Sequence, residues 1–132
     1  LVTFHGPHCY ISPSWYESAS VPTWDYVTVQ AYGTAKVFDN PEKTRELIEA
    51  LTEKYEQGQD IPWKPKNNYP NKMLKAIVGF EITVQEIEGK VKIGQNKSVE
   101  DLKGVVKALV DSSSEQELAI ANLIKIYLKS KD

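Results

Sequence analysis

Tyr26–Phe38, YVTVQAYGTAKVF, decides the fold class of this chain. Val27, Val29, Ala31, Ala35 and Val37 fall on one face of an extended run, and Thr28, Gln30, Thr34 and Lys36 on the other. That period of two predicts a half-buried strand. Gly33 interrupts it and marks a bulge or a close backbone approach. A second run, Ala76–Ile87, alternates Val78, Phe80, Ile82 and Val84 with Gly79, Glu81, Thr83 and Gln85. Glu88-Gly89 then predicts a tight hairpin into Lys90–Ile93. Upstream, Leu1–Phe4 reads as a short strand entering a Gly6-Pro7 turn. Tyr10–Ser12 reads as another extended piece, stopped by Pro13, and Ser14–Val21 as a loop with one helical turn around Trp15 and Tyr16.

Three helices are expected between and after the strands. Asp39 or Asn40 can cap the first, with Pro41 in its first turn and Glu42 and Glu46 at its positive end. Leu47, Ile48, Leu51 and Tyr55 form its apolar stripe, and Gly58 is its stop signal. Residues 59–72 read as a long polar connection, with Trp63 and Tyr69 as anchors. Ser98 starts the second helix, with Asp101 in a capping-box position. Val99, Leu102, Val105, Val106 and Leu109 form its buried face. Ser114 and Glu117 cap the third, lined by Leu118, Ala121, Ile124 and Leu128. Strands joined by hairpins and separated by a few helices predict an α+β fold with an antiparallel sheet.

The totals narrow the function classes. A chain of 132 residues supports one domain, and 41% hydrophobic with 26% charged residues fits a soluble globular protein. The net charge of −2 supplies no basic face for salt-driven DNA binding. No apolar run approaches the roughly 18 residues of a membrane span. The single Cys9 excludes an internal disulfide and fits a reducing cytosol. One cysteine and two histidines argue against a structural zinc site. The chain opens on the strand-like LVTF, without a signal-peptide layout, so Leu1 is expected to lie inside a longer sheet domain.

Two groups of residues could carry chemistry. His5 to Tyr26 packs His5, His8, Tyr10, Trp15, Tyr16, Trp24 and Tyr26 between Gly6, Pro7, Pro13 and Pro22. Those rings could stack on a flat ligand, or form a small core closing one end of a barrel. The two histidines could transfer protons or ligate haem, or bond only to loop backbone. Cys9, beside Tyr10 and Ile11, reads as a buried filler. The second group is Lys90–Ser98. There Lys90, Lys92 and Lys97 stand near a helix N-terminus that could receive a phosphate, with Gln95 and Asn96 as hydrogen-bonding partners. The alternative is a turn held by its own amides. No paired carboxylates, metal spacing or nucleophile-base order is present, so no catalytic or metal-binding residue is assigned.

GPHCYISPSWY, VPTWDYVTVQAYG and AIVGFEITVQEIEGKVKIGQNKS together resemble the PaiB-type proteins, FMN-binding negative transcriptional regulators of protease synthesis and sporulation. The blocks run in the family's order from Gly6 to Ser98. Cys9, Asp25, Gln30 and Gly94 depart from the alanine, asparagine, histidine and serine usual there. The resemblance implies a split β-barrel, related to flavin reductases and pyridoxamine-phosphate oxidases, that forms a cytoplasmic homodimer with FMN at its interface. It also implies that residues 1–132 form the C-terminal part of such a domain, with its first strands missing. His8, Tyr10, Ser12, Trp15, Tyr16, Trp24, Lys92, Gln95 and Asn96 are the residues it assigns to FMN. A flavin-dependent oxidoreductase and a cofactor-free dimeric interaction protein are the competing readings, with regulation acting through a partner rather than direct DNA contact.

Overall fold

A computed structural model describes residues 1–62 and 71–131. Trp63 and Tyr69, expected to anchor the 59–72 connection, lie outside the described residues. The elements run β1 (Val2–Ile11), a 3-10 turn (Pro13–Trp15), β2 (Thr23–Phe38), α1 (Pro41–Glu56), α2 (Asn71–Leu74), β3 (Gly79–Lys92), α3 (Val99–Leu109) and α4 (Glu115–Lys129). The strands form one antiparallel sheet in the order β1-β2-β3, so the class is α+β as expected. The chain divides into two compact units, Leu1–Tyr32 with Gln85–Asp132, and Gly33–Val84.

Two expected turns are absent. Gly6-Pro7 does not break β1. Its register on β2 jumps from His5↔Thr28 to His8↔Tyr26, so three steps on β1 match two on β2. The extra residue is a bulge. An edge strand tolerates Pro7 there, because the missing N–H leaves no partner unsatisfied inside a sheet. Gln116 of α4 accepts from the His8 backbone N–H at 3.2 Å beside the bulge. Glu88-Gly89 is likewise no hairpin, and β3 runs straight through it. A two-residue hairpin turn requires positive φ. Gly94, not Gly89, adopts it, at 73°.

In the first unit, α3 and α4 pack on each other, α4 covers β1, and α3 supports the 3-10 turn. Cys9 and Ile11 from β1 join Ile93, Leu102, Val105, Leu109, Ile120 and Ile124 in its core. Both helices start where their serines predict. Ser98 Oγ accepts from Asp101 N at 3.1 Å, and Ser114 Oγ from Glu117 N at 3.5 Å. The buried face of α4 is centred on Ile120, Ala121 and Ile124, while Leu118 and Leu128 flank it half-buried.

In the second unit, Asn40 caps α1, its Oδ1 accepting from Glu42 N and Lys43 N at 3.0 Å each. Lys43 reaches Glu81 at 2.7 Å and lies 4.3 Å over the Phe38 ring. The close approach expected at Gly33 is present, since a Cβ there would strike the Thr83 carbonyl. Of the predicted apolar stripe of α1, Leu47, Leu51 and Tyr55 are exposed and Ile48 is half-buried.

Candidate functional site

The β1-β2 register sorts the aromatic stretch onto two faces. His8 pairs with Tyr26, Cys9 with Asp25, Tyr10 with Trp24 and Ile11 with Thr23. Because side chains alternate along a strand, Cys9, Ile11 and Asp25 turn inward, and His8, Tyr10, Trp24 and Tyr26 turn outward.

On the outer face, the His8 and Trp24 rings stack with centroids 5.9 Å apart and an interplanar angle of 27°. Trp24 Nε1–H donates to His8 Nδ1 at 3.2 Å, which leaves the neutral imidazole its proton on Nε2. Tyr10 meets Trp24 edge-on at 6.4 Å. Tyr10 and Trp24 remain 45% and 48% exposed, so this is no closed mini-core. Beside them a groove of about 480 Å³ is lined by His5, His8, Trp24, Tyr26, Val27 and Thr28. That volume lies within the ordinary range for a small-molecule site.

The inner face holds a smaller cavity of about 190 Å³, lined in part by Tyr16, Thr23, Asp25, Lys92, Asn96 and Lys97. Asp25 is only 2% exposed. Burial pushes its carboxyl above the usual range, while the hydrogen bond and charge of Lys92 pull it down. Lys92 Nζ donates to Thr23 Oγ1 at 2.6 Å, the Trp24 carbonyl at 2.7 Å and Asp25 Oδ1 at 3.2 Å. Its three protons therefore already have protein acceptors. Burial, followed by the charges of Asp25 and Glu117, pushes the Cys9 thiol up to about 12. Cys9 is thus an inert core thiol rather than a nucleophile.

The expected site residues do not converge on one wall. His8, Tyr10 and Trp24 come together on the outer face; Tyr16, Lys92 and Asn96 line the inner cavity. Trp15 packs against the core, and Ser12 caps the 3-10 turn by accepting from Ser14 N at 3.3 Å. Gln95 serves its own turn, accepting from Ile93 N at 2.9 Å and donating to the Val91 carbonyl at 2.7 Å. The sequence marks Thr28 and Val27 of the groove only as strand positions. Their role beside the histidines depends on the bulge, which no local motif announces. Among the described residues, no group of three or more His, Cys, Asp or Glu could hold a metal ion. None of the described helices is long and apolar enough to cross a membrane.

A family model described as "Putative FMN-binding domain" matches residues 1–86. The chain belongs to this FMN-binding domain family. It is 39% identical to the Bacillus subtilis "Protease synthase and sporulation protein PAI 2", an alignment covering 99% of the chain and 64% of that relative. Uncharacterized proteins of Emericella nidulans and Aspergillus fumigatus are each 28% identical over the whole chain and 60% of their own length. The chain spans less than two thirds of these relatives. The PaiB-type resemblance carried by the three sequence blocks is borne out. All six groove residues fall inside the FMN-binding match, whereas Lys92, Gln95 and Asn96 fall outside it.

Proposed function

We propose that this chain binds FMN through the outer face of β1 and β2, as part of a PaiB-like regulator of protease production and sporulation. The observation that carries this reading is the exposed stacked pair of His8 and Trp24 beside a groove of ligand size. Large rings left half in water serve no core, and their π-faces suit a flat heterocycle. In this reading His8, Tyr10, Trp24 and Tyr26 hold the flavin ring. When bound, FMN supplies a flat, redox-active ring system. The described residues lining the groove include no lysine or arginine, so His5 and Thr28 are the polar groups offered to the ribityl phosphate. Lys92 and Gln95 act instead within the scaffold, because their donors and acceptors already engage protein atoms.

The regulatory part of the reading rests on similarity to PAI 2. With a net charge of −2, control through a partner protein suits the chain better than direct DNA contact. A cytoplasmic homodimeric split barrel completes the proposal. The test is a fluorescence titration of FMN against purified wild type and Trp24→Ala. Saturable quenching in the wild type, weakened about tenfold or more in the variant, is the expected result. Equal affinity in the two proteins would remove the outer face from the site.

A further inference from the structure

The loop joining the two aromatic strands is held from the opposite side of the sheet. Residues 12–22 link Ile11 to Thr23, and the next pair along the ladder is Tyr10↔Trp24. Three attachments tie this loop to α3 and the residue before its cap. Asp101 Oδ1 accepts from Glu17 N at 2.8 Å and Ser18 N at 3.0 Å, and its Oδ2 accepts from Ser18 Oγ at 2.7 Å. Lys97 Nζ donates to Ser20 Oγ at 2.7 Å and lies 4.6 Å over the Tyr16 ring. Gly104 presents bare backbone to the Trp15 carbonyl, where any Cβ would collide with the oxygen. Asp101 is itself only 2% exposed. A carboxylate buried this way, with three hydrogen bonds to one loop, fixes that loop's position.

We propose that Asp101 is a positioning residue for the aromatic face. From α3 it fixes the 12–22 loop, and through the loop it sets the strand ends that carry Tyr10 and Trp24. Its effect on flavin affinity rests on the FMN reading above, while its effect on Trp24 does not. Asp101 lies outside the residues matched by the FMN-binding family model, so the C-terminal helices would tune a site contained in residues 1–86.

The experiment uses the full 132-residue chain, ¹⁵N-labelled, as wild type, Asp101→Ala, Asp101→Asn, Ser18→Ala and Trp24→Ala. It reads amide exchange at Glu17 and Ser18, the Trp24 indole N–H resonance and FMN affinity. In Asp101→Ala, exchange at the two amides should accelerate by about a hundredfold or more. The Trp24 resonance should shift or broaden, and FMN affinity should fall about tenfold. Asp101→Asn keeps an oxygen for the two amides and should lie between wild type and alanine in every reading. If Asp101→Ala does not fold, Asp101→Asn and Ser18→Ala carry the same test with smaller changes. Faster loop exchange with an unmoved Trp24 resonance would overturn the proposal, as would unchanged exchange. Trp24→Ala should bind FMN about tenfold or more weakly and leave the two amides protected. If wild type takes up no FMN yet the loop and indole respond as described, the cofactor reading fails and the positioning role stands.

Discussion

The two faces of the β1-β2 hairpin differ more than their sequences suggest. Inward, Cys9 and Ile11 enter a closed core with α3 and α4. Outward, one residue along each strand, Tyr10 and Trp24 stay about half exposed around a groove. Alternation assigns residues to faces, but it does not say which face will be covered. Ring density alone is therefore ambiguous. A ring's role follows from which side of the sheet the helices occupy.

Stability separates the two faces most strongly. Leu102→Ala empties a position that is fully buried in the core. It should cost about 2–5 kcal/mol in urea unfolding. Tyr10→Ala removes a half-exposed ring with one edge contact to Trp24, and should cost about 1 kcal/mol or less. Similar losses for the two variants would mean that the outer face is a second core.

How much of this was legible follows from the range of each interaction. The caps at Asn40, Ser98 and Ser114 were readable because a cap is settled within three or four residues. Gly33 was readable because a missing side chain in a strand has few explanations. The Gly6-Pro7 bulge and the straight passage through Gly89 were not, because the same dipeptides make turns when no neighbouring strand holds them extended. Asp101 illustrates a further limit. Its spacing from Ser98 predicted a capping box, yet its carboxylate bonds to a loop more than eighty positions earlier. Of the nine expected site residues, the fold brings only His8, Tyr10 and Trp24 together on the outer face, sends Tyr16, Lys92 and Asn96 to the inner cavity, and uses Ser12, Trp15 and Gln95 within the scaffold.

On the inner side, the Asp101 attachment depends on pH. Hydrogen bonds hold Asp101 down at about 2, led by the backbone N–H of Ser18, against an ordinary 3.8. A carboxyl lowered in the folded state binds fewer protons there than in the unfolded chain. Its stabilisation is therefore complete above about pH 4 and disappears as pH falls towards 2. Urea midpoints measured from pH 5 to pH 2 should decline less steeply in Asp101→Asn than in wild type. Parallel declines would show that the loop attachment does not titrate.

The smallest effect concerns Asp25, and its sign is the reverse. Burial raises this carboxyl despite Lys92, so ionised Asp25 is a net liability in the folded chain. A raised carboxyl contributes stability below its unfolded value of about 3.8 and loses it as pH rises through the folded value. Asp25→Asn keeps an oxygen for Lys92 Nζ and removes the buried charge. Lys92 retains Thr23 Oγ1 and the Trp24 carbonyl, so its ammonium is not orphaned. At pH 7 the variant should melt slightly higher than wild type, and the gap should close as pH is lowered towards 4. A lower melting temperature at pH 7 would mean that the attraction between Asp25 and Lys92 outweighs the burial of the carboxylate. The inner face would then be stabilised by that ion pair as well as by its apolar packing.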